Sequence, residues 1–205
     1  MYQKYIKRLL DFILAFFGLL ILTPALLLLM FCLTVAHRGK VFFTQQRPGR
    51  NEKVFRVIKF RSMNDKRDAN GRLLPDCERL TALGKFIRAT SLDELPQLIH
   101  VLKGEMSLIG PRPLLLQYIP VYTERERKRH TVRPGMTGLA QVSGRNVIGW
   151  DAKLELDVCY VENISFLGDV KILWRTIVKV IKREGAIADK KENYLDIERN
   201  NKMKS

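Results

Sequence analysis

From Phe12 to Ala36 the chain runs for 25 residues without a charge, dominated by leucine, phenylalanine, isoleucine and alanine. Coiled as a helix, this stretch measures roughly 37 Å against a hydrocarbon core of about 30 Å. It is long for the apolar region of a signal peptide and has no small-x-small cleavage site near its end. A membrane helix is the expectation, and everything that follows has to fold beside it. Thr23-Pro24 sits near its centre, where proline removes a helical hydrogen bond and kinks the chain. The Thr23 hydroxyl is placed to satisfy a carbonyl one turn back, which makes a break tolerable in lipid. Lys4, Lys7 and Arg8 precede the run, and Arg38, Lys40, Arg47 and Arg50 follow it. A straight span carries its positive excess at the cytoplasmic end, yet here both ends have that signature. A re-entrant helix-break-helix over residues 1–38, entering and leaving by the cytoplasmic leaflet, satisfies both flanks.

Charge narrows the partners. The 205 residues carry a formal +15, and residues 1–61 contribute +9 of it. Such a surplus suits nucleic acid, an anionic membrane face or phosphorylated substrates. Cys32, Cys77 and Cys159 stand far apart without a C-x-x-C, which argues against a disulfide framework or zinc site and for a reducing compartment. H-E-x-x-H, Walker A and G-x-G-x-x-G patterns are absent, and His37, His100 and His130 adjoin no obvious nucleophile. The length suits one domain, placed at 39–185, with residues 186–205 as a flexible tail.

Within that domain, Val41–Thr44 and Val54–Phe60 read as strands of a short hairpin turned at Arg47–Asn51. Phe55, Val57 and Lys59 share one face, so Lys59 is either an edge lysine or a cation carried on a rigid element. Residues 64–79 read as a mobile surface loop, followed by a short helix around Leu83–Arg88. In the run Arg88–Gly104, Ser91 and Glu94 have capping-box spacing, which predicts a helix from about Leu92. Leu95, Leu98, Ile99 and Leu102 form its apolar stripe, and Gly104 is a natural residue to end it. Asp93 and Glu94 then occupy the first turn. They either stabilise the helix start or meet phosphate there, with the helix dipole keeping a carboxylate ionised.

Met106–Ile109 is a strand candidate that stops at Gly110-Pro-Arg-Pro113, where two prolines stiffen the backbone around Arg112. Such an arginine is a ligand clamp or a solvated charge. Leu114–Thr123 reads as an apolar helical segment interrupted by Pro120. The basic run Arg125–His130 reads as a solvated or headgroup-facing surface. Arg133–Asn146 is a glycine-punctuated loop and strand with Arg145 near its end. Two helices close the chain, at about Trp150–Val161 with Asp157 and at about Asp169–Arg183. The second is amphipathic and basic, suited to a membrane surface or to a core. The expected fold is α+β, mainly helical.

Carboxylates at a helix start, constrained cations at Lys59, Arg88, Arg112 and Arg145, and a membrane element together point to phosphoryl chemistry, in which positioning and charge neutralisation dominate. Four segments go further: Lys59-Phe-Arg-Ser-Met63, Thr90-Ser-Leu-Asp-Glu-Leu-Pro-Gln97, Gly104-Glu-Met-Ser-Leu-Ile-Gly-Pro-Arg-Pro113 and Arg133-Pro-Gly-Met-Thr-Gly-Leu139. In this order they resemble the bacterial sugar transferases that start glycan assembly on polyprenol phosphate, and most closely the small monotopic phosphoglycosyl transferases.

The resemblance implies transfer of a sugar 1-phosphate from a UDP-sugar to undecaprenyl phosphate with release of UMP, through a phosphosugar-aspartyl intermediate. The sugar expected is N-acetylated, such as diacetamidobacillosamine. It matches Asp93 to the nucleophile and Glu94 to its acidic partner, and implies Mg²⁺ bridging carboxylate and diphosphate, with Asp93 as its ligand. Lys59, Arg88, Arg112, Arg145 and Asp157 are the expected substrate-binding residues, Asp157 being equally readable as a surface acid. The family's apolar helix is re-entrant and commonly carries Ser-Pro; Thr23-Pro24 departs from that pattern but keeps the hydroxyl. The implied location is the cytoplasmic face of the bacterial inner membrane, against anionic lipid. A competing reading, a non-enzymatic anchored module binding nucleic acid or anionic lipid, explains the charge but leaves the acidic pair unused, so nucleic acid is not an expected partner.

Overall fold

The computed structural model describes residues 1–144, 148–182 and 194–204; Arg145 lies outside them. A π-helical turn at Tyr2–Ile6 leads into α1 (Lys7–Ala36), and together they form one helix long and apolar enough to cross a membrane. Only Asp11, Ala15 and Leu33 of α1 are buried. The helix is hydrogen-bonded through Pro24 as one element. Thr23 Oγ1 donates to the Leu19 carbonyl at 2.7 Å, whereas the carbonyl that Pro24 deprives of an N–H is that of Leu20. The hydroxyl therefore reinforces the turn beside the proline, a bond that bends helices.

Both halves of α1 rest on the same globular body. Near its start, Ala15 and Leu19 pack with Leu98, Val101 and Met106, and Arg8 donates to the Val101 and Leu102 carbonyls. Past the proline, Leu26, Leu29, Met30 and Leu33 gather around Phe60 and Ile87. The rest of the helix surface, including Phe12, Phe16, Leu20, Leu28 and Phe31, is exposed.

The hairpin forms as β1 (Phe42–Pro48) and β2 (Val54–Phe60), antiparallel with Phe42 opposite Phe60 and Pro48 opposite Val54. Strand β1 runs four residues beyond the expected end, to a fully buried Pro48 opposite Val54, a position at the end of a two-stranded sheet that proline tolerates. Residues 64–79, expected as a mobile loop, are held by backbone hydrogen bonds from Asn64 to Arg79 and from Leu74 to Lys66, and end in α2 (Asp76–Arg79). Helix α3 (Ala82–Ala89), capped by Thr81, follows.

The expected α-helix from Leu92 is instead a 3₁₀ turn (Leu92–Gln97) continued by α4 (Leu98–Lys103). Pro96 supplies the reason: an α-helix begun at Leu92 needs an N–H at position 96 to bond the Leu92 carbonyl, and proline has none. Ser91 sits in the left-handed region at φ 57° and makes no capping hydrogen bond, so the capping box does not form. Tightening to three residues per turn also moves the buried face. Leu98, His100 and Val101 are buried, while Ile99, expected in the stripe, is exposed. Gly104 ends α4 at φ 81° as anticipated.

Strand β3 (Ser107–Ile109) pairs in parallel with β4 (Gly135–Thr137), Ser107 opposite Gly135. Pro120 falls within a 3₁₀ segment at Leu116–Val121. Helix α5 (Glu124–Arg127), a 3₁₀ turn at Lys128–Thr131 and α6 (Leu139–Ser143) connect to α7 (Trp150–Glu162) and α8 (Phe166–Lys182). Helix α8 leaves Leu167, Val170, Trp174, Ile177 and Ile181 exposed, a second uncovered apolar face. The basic run departs from its expected surface role: Arg129 and His130 are buried, and Arg125 pairs with Glu155 and Glu162 on α7. The end of the chain departs from a flexible tail. It forms α9 (Leu195–Lys204), with Leu195 fully buried beside Tyr118, Tyr122 and Leu154, and Arg199 paired to Glu126 and Asp151. The architecture is α+β and mainly helical, its described strands forming two two-stranded sheets.

Candidate active site

Strand β2 and the 3₁₀ turn bring Lys59 and Glu94 together, and the proline-flanked segment after β3 adds Arg112. Lys59 Nζ lies 2.6 Å and Arg112 Nη2 2.7 Å from the same Glu94 oxygen, Oε1. Burial alone would raise the Glu94 carboxyl, but the charges of Arg112 and Lys59 outweigh it and hold the group far below the usual carboxylate range. Its charge in turn lifts the Arg112 guanidinium, while burial draws Lys59 down.

Asp93, the next residue back, has the opposite environment. Its carboxylate makes no hydrogen bond or ion pair among the described residues. Burial pushes its carboxyl up and Glu94 adds to the effect, against the opposing charges of Lys59, Arg88 and Arg112. The expected dipole stabilisation of ionised Asp93 does not govern here. The run begins with six residues of 3₁₀ helix, whose hydrogen bonds are less well aligned than those of an α-helix, and burial is the largest cause of the shift.

Arg88, on α3, donates through Nε to Ser62 Oγ at 2.8 Å and makes no ion pair among the described residues. Ser62 is itself buried against α3, where Gly84 approaches so closely that a Cβ would lie 1.8 Å from the Ser62 carbonyl oxygen. Arg112 is fixed twice over. Pro111 and Pro113 set its backbone, and its carbonyl accepts from Arg129 Nη2 at 2.6 Å. Arg129 also reaches Asp157 Oδ2 at 2.7 Å and the Tyr122 hydroxyl at 3.3 Å, its side chain only 1% exposed. Asp157 thus stands one layer behind Arg112, as counter-ion to the arginine that holds it, and is not a surface acid. Burial pushes the Asp157 carboxyl up against the pull of Arg129, and its Oδ1 is buried without a hydrogen-bond partner among the described residues.

These groups surround a cavity of about 820 Å³ lined by Lys59, Arg88, Asp93, Glu94, Arg112 and Asp157. Its wall also includes Arg47, Arg61, Ser62, Arg79, Trp150 and Lys153, to which sequence reasoning gave no site role. Arg61 and Ser62 stood inside Lys59-Phe-Arg-Ser-Met63, a usable signal. Arg79 stood in the supposed mobile loop, and Arg47 in a turn whose only legible property was its proline and glycine. Burial and the nearby charge of Arg112 draw the Arg47 guanidinium down to about 10. A narrower apolar groove of about 220 Å³ shares Ser91, Glu94, Arg112 and Gln141 with the cavity and is lined farther on by Leu173, Thr176 and Val180 of α8.

Among the described residues no group of three His, Cys, Asp or Glu side chains is placed to cage a metal. Mg²⁺ needs no such cage, since it commonly takes one or two carboxylates with substrate phosphates and water. Asp93, without a competing partner among the described residues, fits that role, whereas Glu94 Oε1 already faces two cations. A cavity rich in arginine and lysine around one engaged and one unengaged carboxylate suits a polyanionic ligand such as a diphosphate.

Comparison with known proteins gives this geometry a context. A model of a family described as bacterial sugar transferase matches residues 2–183. An uncharacterized sugar transferase, EpsL, of Bacillus subtilis is 51% identical over 88% of this chain and 89% of its own length. An undecaprenyl-phosphate galactose phosphotransferase of Salmonella typhimurium is 38% identical over 90% of this chain. A UDP-glucose:undecaprenyl-phosphate glucose-1-phosphate transferase of Klebsiella pneumoniae is 37% identical over 84% of it. The chain spans only 42% and 39% of the length of those last two proteins.

Proposed function

Because the chain belongs to the bacterial sugar transferase family, we propose that its cavity transfers a sugar 1-phosphate from a UDP-sugar to undecaprenyl phosphate and releases UMP. One observation carries the reading. Glu94 is engaged by Lys59 and Arg112, while Asp93 beside it has no hydrogen-bond or ion-pair partner among the described residues, at the edge of a cation-lined cavity. The names of the Salmonella and Klebsiella relatives support the acceptor and the class of donor.

In the first step an Asp93 carboxylate oxygen bonds to the sugar-bearing phosphorus, and the bridging oxygen of the diphosphate leaves with UMP. In the second, an undecaprenyl phosphate oxygen attacks that phosphorus and returns the carboxylate, giving a lipid-linked diphosphosugar. Two steps suit two substrates that arrive from water and from lipid. Arg88 and Arg112 offset the charge of the diphosphate, and Lys59 moves between Glu94 and the ligand. Arg145, outside the described residues, is assigned to the diphosphate on the resemblance alone. Mg²⁺ bound at Asp93 would supply charge neutralisation of the diphosphate. Asp157 acts through Arg129 to set Arg112.

The apolar groove from Glu94 and Arg112 to α8 offers the acceptor's chain a way in from the bilayer. A re-entrant α1 is supported by its two halves resting on one body, since a helix crossing the bilayer would have to draw that body into the hydrocarbon with it. On this reading the cavity lies at the inner-leaflet surface of the bacterial membrane. For the sugar, we propose an N-acetylated one such as diacetamidobacillosamine, with galactose and glucose as the alternatives that the relatives' names supply.

The test is UMP release by detergent-solubilised protein given undecaprenyl phosphate, Mg²⁺ and a panel of UDP-sugars. Asp93→Asn should lower turnover by roughly 10³-fold or more with the fold intact. Near-normal turnover in that variant would overturn the nucleophile assignment. Steeply salt-dependent DNA binding without turnover on any sugar would overturn the reading as a whole.

A further inference from the structure

Where α1 begins, a second cavity of about 470 Å³ lies between the helix, the turn at Arg50 and the segment 131–133. It gathers Lys4, Arg8, Arg50 and Arg133, none of which makes an ion pair among the described residues. Among the described residues the arginines' hydrogen bonds go to carbonyls: Arg8 to Leu102 at 2.8 Å, Arg50 to Thr131 at 3.1 Å and Arg133 to Gly104 at 2.7 Å. Burial, then the charges of Arg8 and Arg50, draw the Arg133 guanidinium down. The nearby acids are already engaged. Asp11 accepts from Ser107 Oγ and the Leu108 N–H, and Asp169 accepts from Lys7, Tyr2 and Tyr160.

Each guanidinium therefore keeps donors for a ligand, and the cavity holds more positive charge than its own acids offset. Aromatic rings stand beside its lining residues. Arg8 lies over the ring of exposed Phe12, and Tyr2 packs edge-on against exposed Phe166. Charge on the inside and exposed aromatic rings nearby match a phosphate carried at a lipid surface better than one free in water.

We propose that this cavity is a phosphate-binding site separate from the catalytic cavity, and that its occupant is the headgroup of an anionic glycerophospholipid. The proposal rests on the membrane placement of α1 and not on the transferase chemistry. Bound there, the phosphodiester ties the start of α1 to the segment 131–133 through charges the protein does not itself neutralise.

Native mass spectrometry of the full chain in detergent, titrated with phosphatidylglycerol or phosphatidylcholine, tests it. The wild type should retain one phosphatidylglycerol in preference to phosphatidylcholine. Lys4→Gln/Arg50→Gln should weaken phosphatidylglycerol by about thirtyfold at a low-salt surface, leaving phosphatidylcholine unchanged. Its UDP-sugar turnover in neutral detergent should stay at the wild-type level. Equal retention of the two lipids, undiminished phosphatidylglycerol binding by the variant, or loss of its turnover would overturn the proposal. So would inorganic phosphate that displaces the lipid and stabilises the protein equally well, since the occupant would then be a free anion. Failure to float with vesicles of either composition would instead remove the membrane placement itself.

Discussion

Asp93 and Glu94 are adjacent in sequence and opposite in electrostatics. Glu94, held down by Arg112 and Lys59 despite its burial, contributes stability above its ordinary value of about 4.3, lost as pH falls toward its depressed one. Asp93, pushed up by burial and by Glu94, favours its protonated form when folded. Its contribution is present below about 3.9 and lost as pH rises through the raised value, so at neutral pH its ionised form is held at a cost. A nucleophilic carboxylate must be ionised, which puts the acid limb of kcat/KM above about 3.9. Arg88 is one of the charges that oppose the rise and does not touch Glu94. Arg88→Gln should therefore move that limb to higher pH. A pH profile with the limb unmoved or lowered would detach Arg88 from Asp93. The sequence showed which residues carry charge, but not that one carboxylate would hold two cations, a matter of three segments meeting in space. Arg129 was hidden for the same reason: in a run of basic residues, nothing local marks the one that turns inward to Asp157.

At the scale of elements, the close approach of α3 to Ser62 sets the position of Arg88. A Cβ at residue 84 would meet the Ser62 carbonyl, and neither backbone has a flexible end to give way. Gly84→Ala should destabilise the protein by about 1–3 kcal/mol, read from denaturation in detergent, and should lower turnover more than the lost stability explains. Unchanged stability would show that α3 moves freely against this segment. Helix α3 and the hairpin were legible because alternation, turn residues and amphipathic spacing are local properties. The segment after Ser91 was legible in its residues and misread in its geometry. S-x-x-E spacing indicates a cap only where the chain that follows can donate α-helical hydrogen bonds, and Pro96 forbids that. The order of residues 64–79 and the docking of α9 depend on distant partners, Leu80 for Met63 and Glu126 for Arg199, which no local pattern announces.

For the whole molecule, α1 and α8 each expose an apolar face that water would not leave bare, while charge is concentrated at the ends of α1. Single cysteines introduced as Lys4→Cys and Lys40→Cys, with the native cysteines removed, should both resist an impermeant thiol reagent applied from outside the membrane. Labelling at one end alone would make α1 a straight span. The contacts of α1 also set an order of events during synthesis. Ala15 and Leu33 are covered by Leu98, Val101, Phe60 and Ile87, residues made well after the helix itself. In the interval every side of the nascent helix is without its protein partners, and lipid is the solvent that suits it. On the proposed membrane placement, its arrival in the bilayer and the folding of the domain that later grips both its halves are stages of one process, in which the membrane holds the first element until the rest of the domain exists.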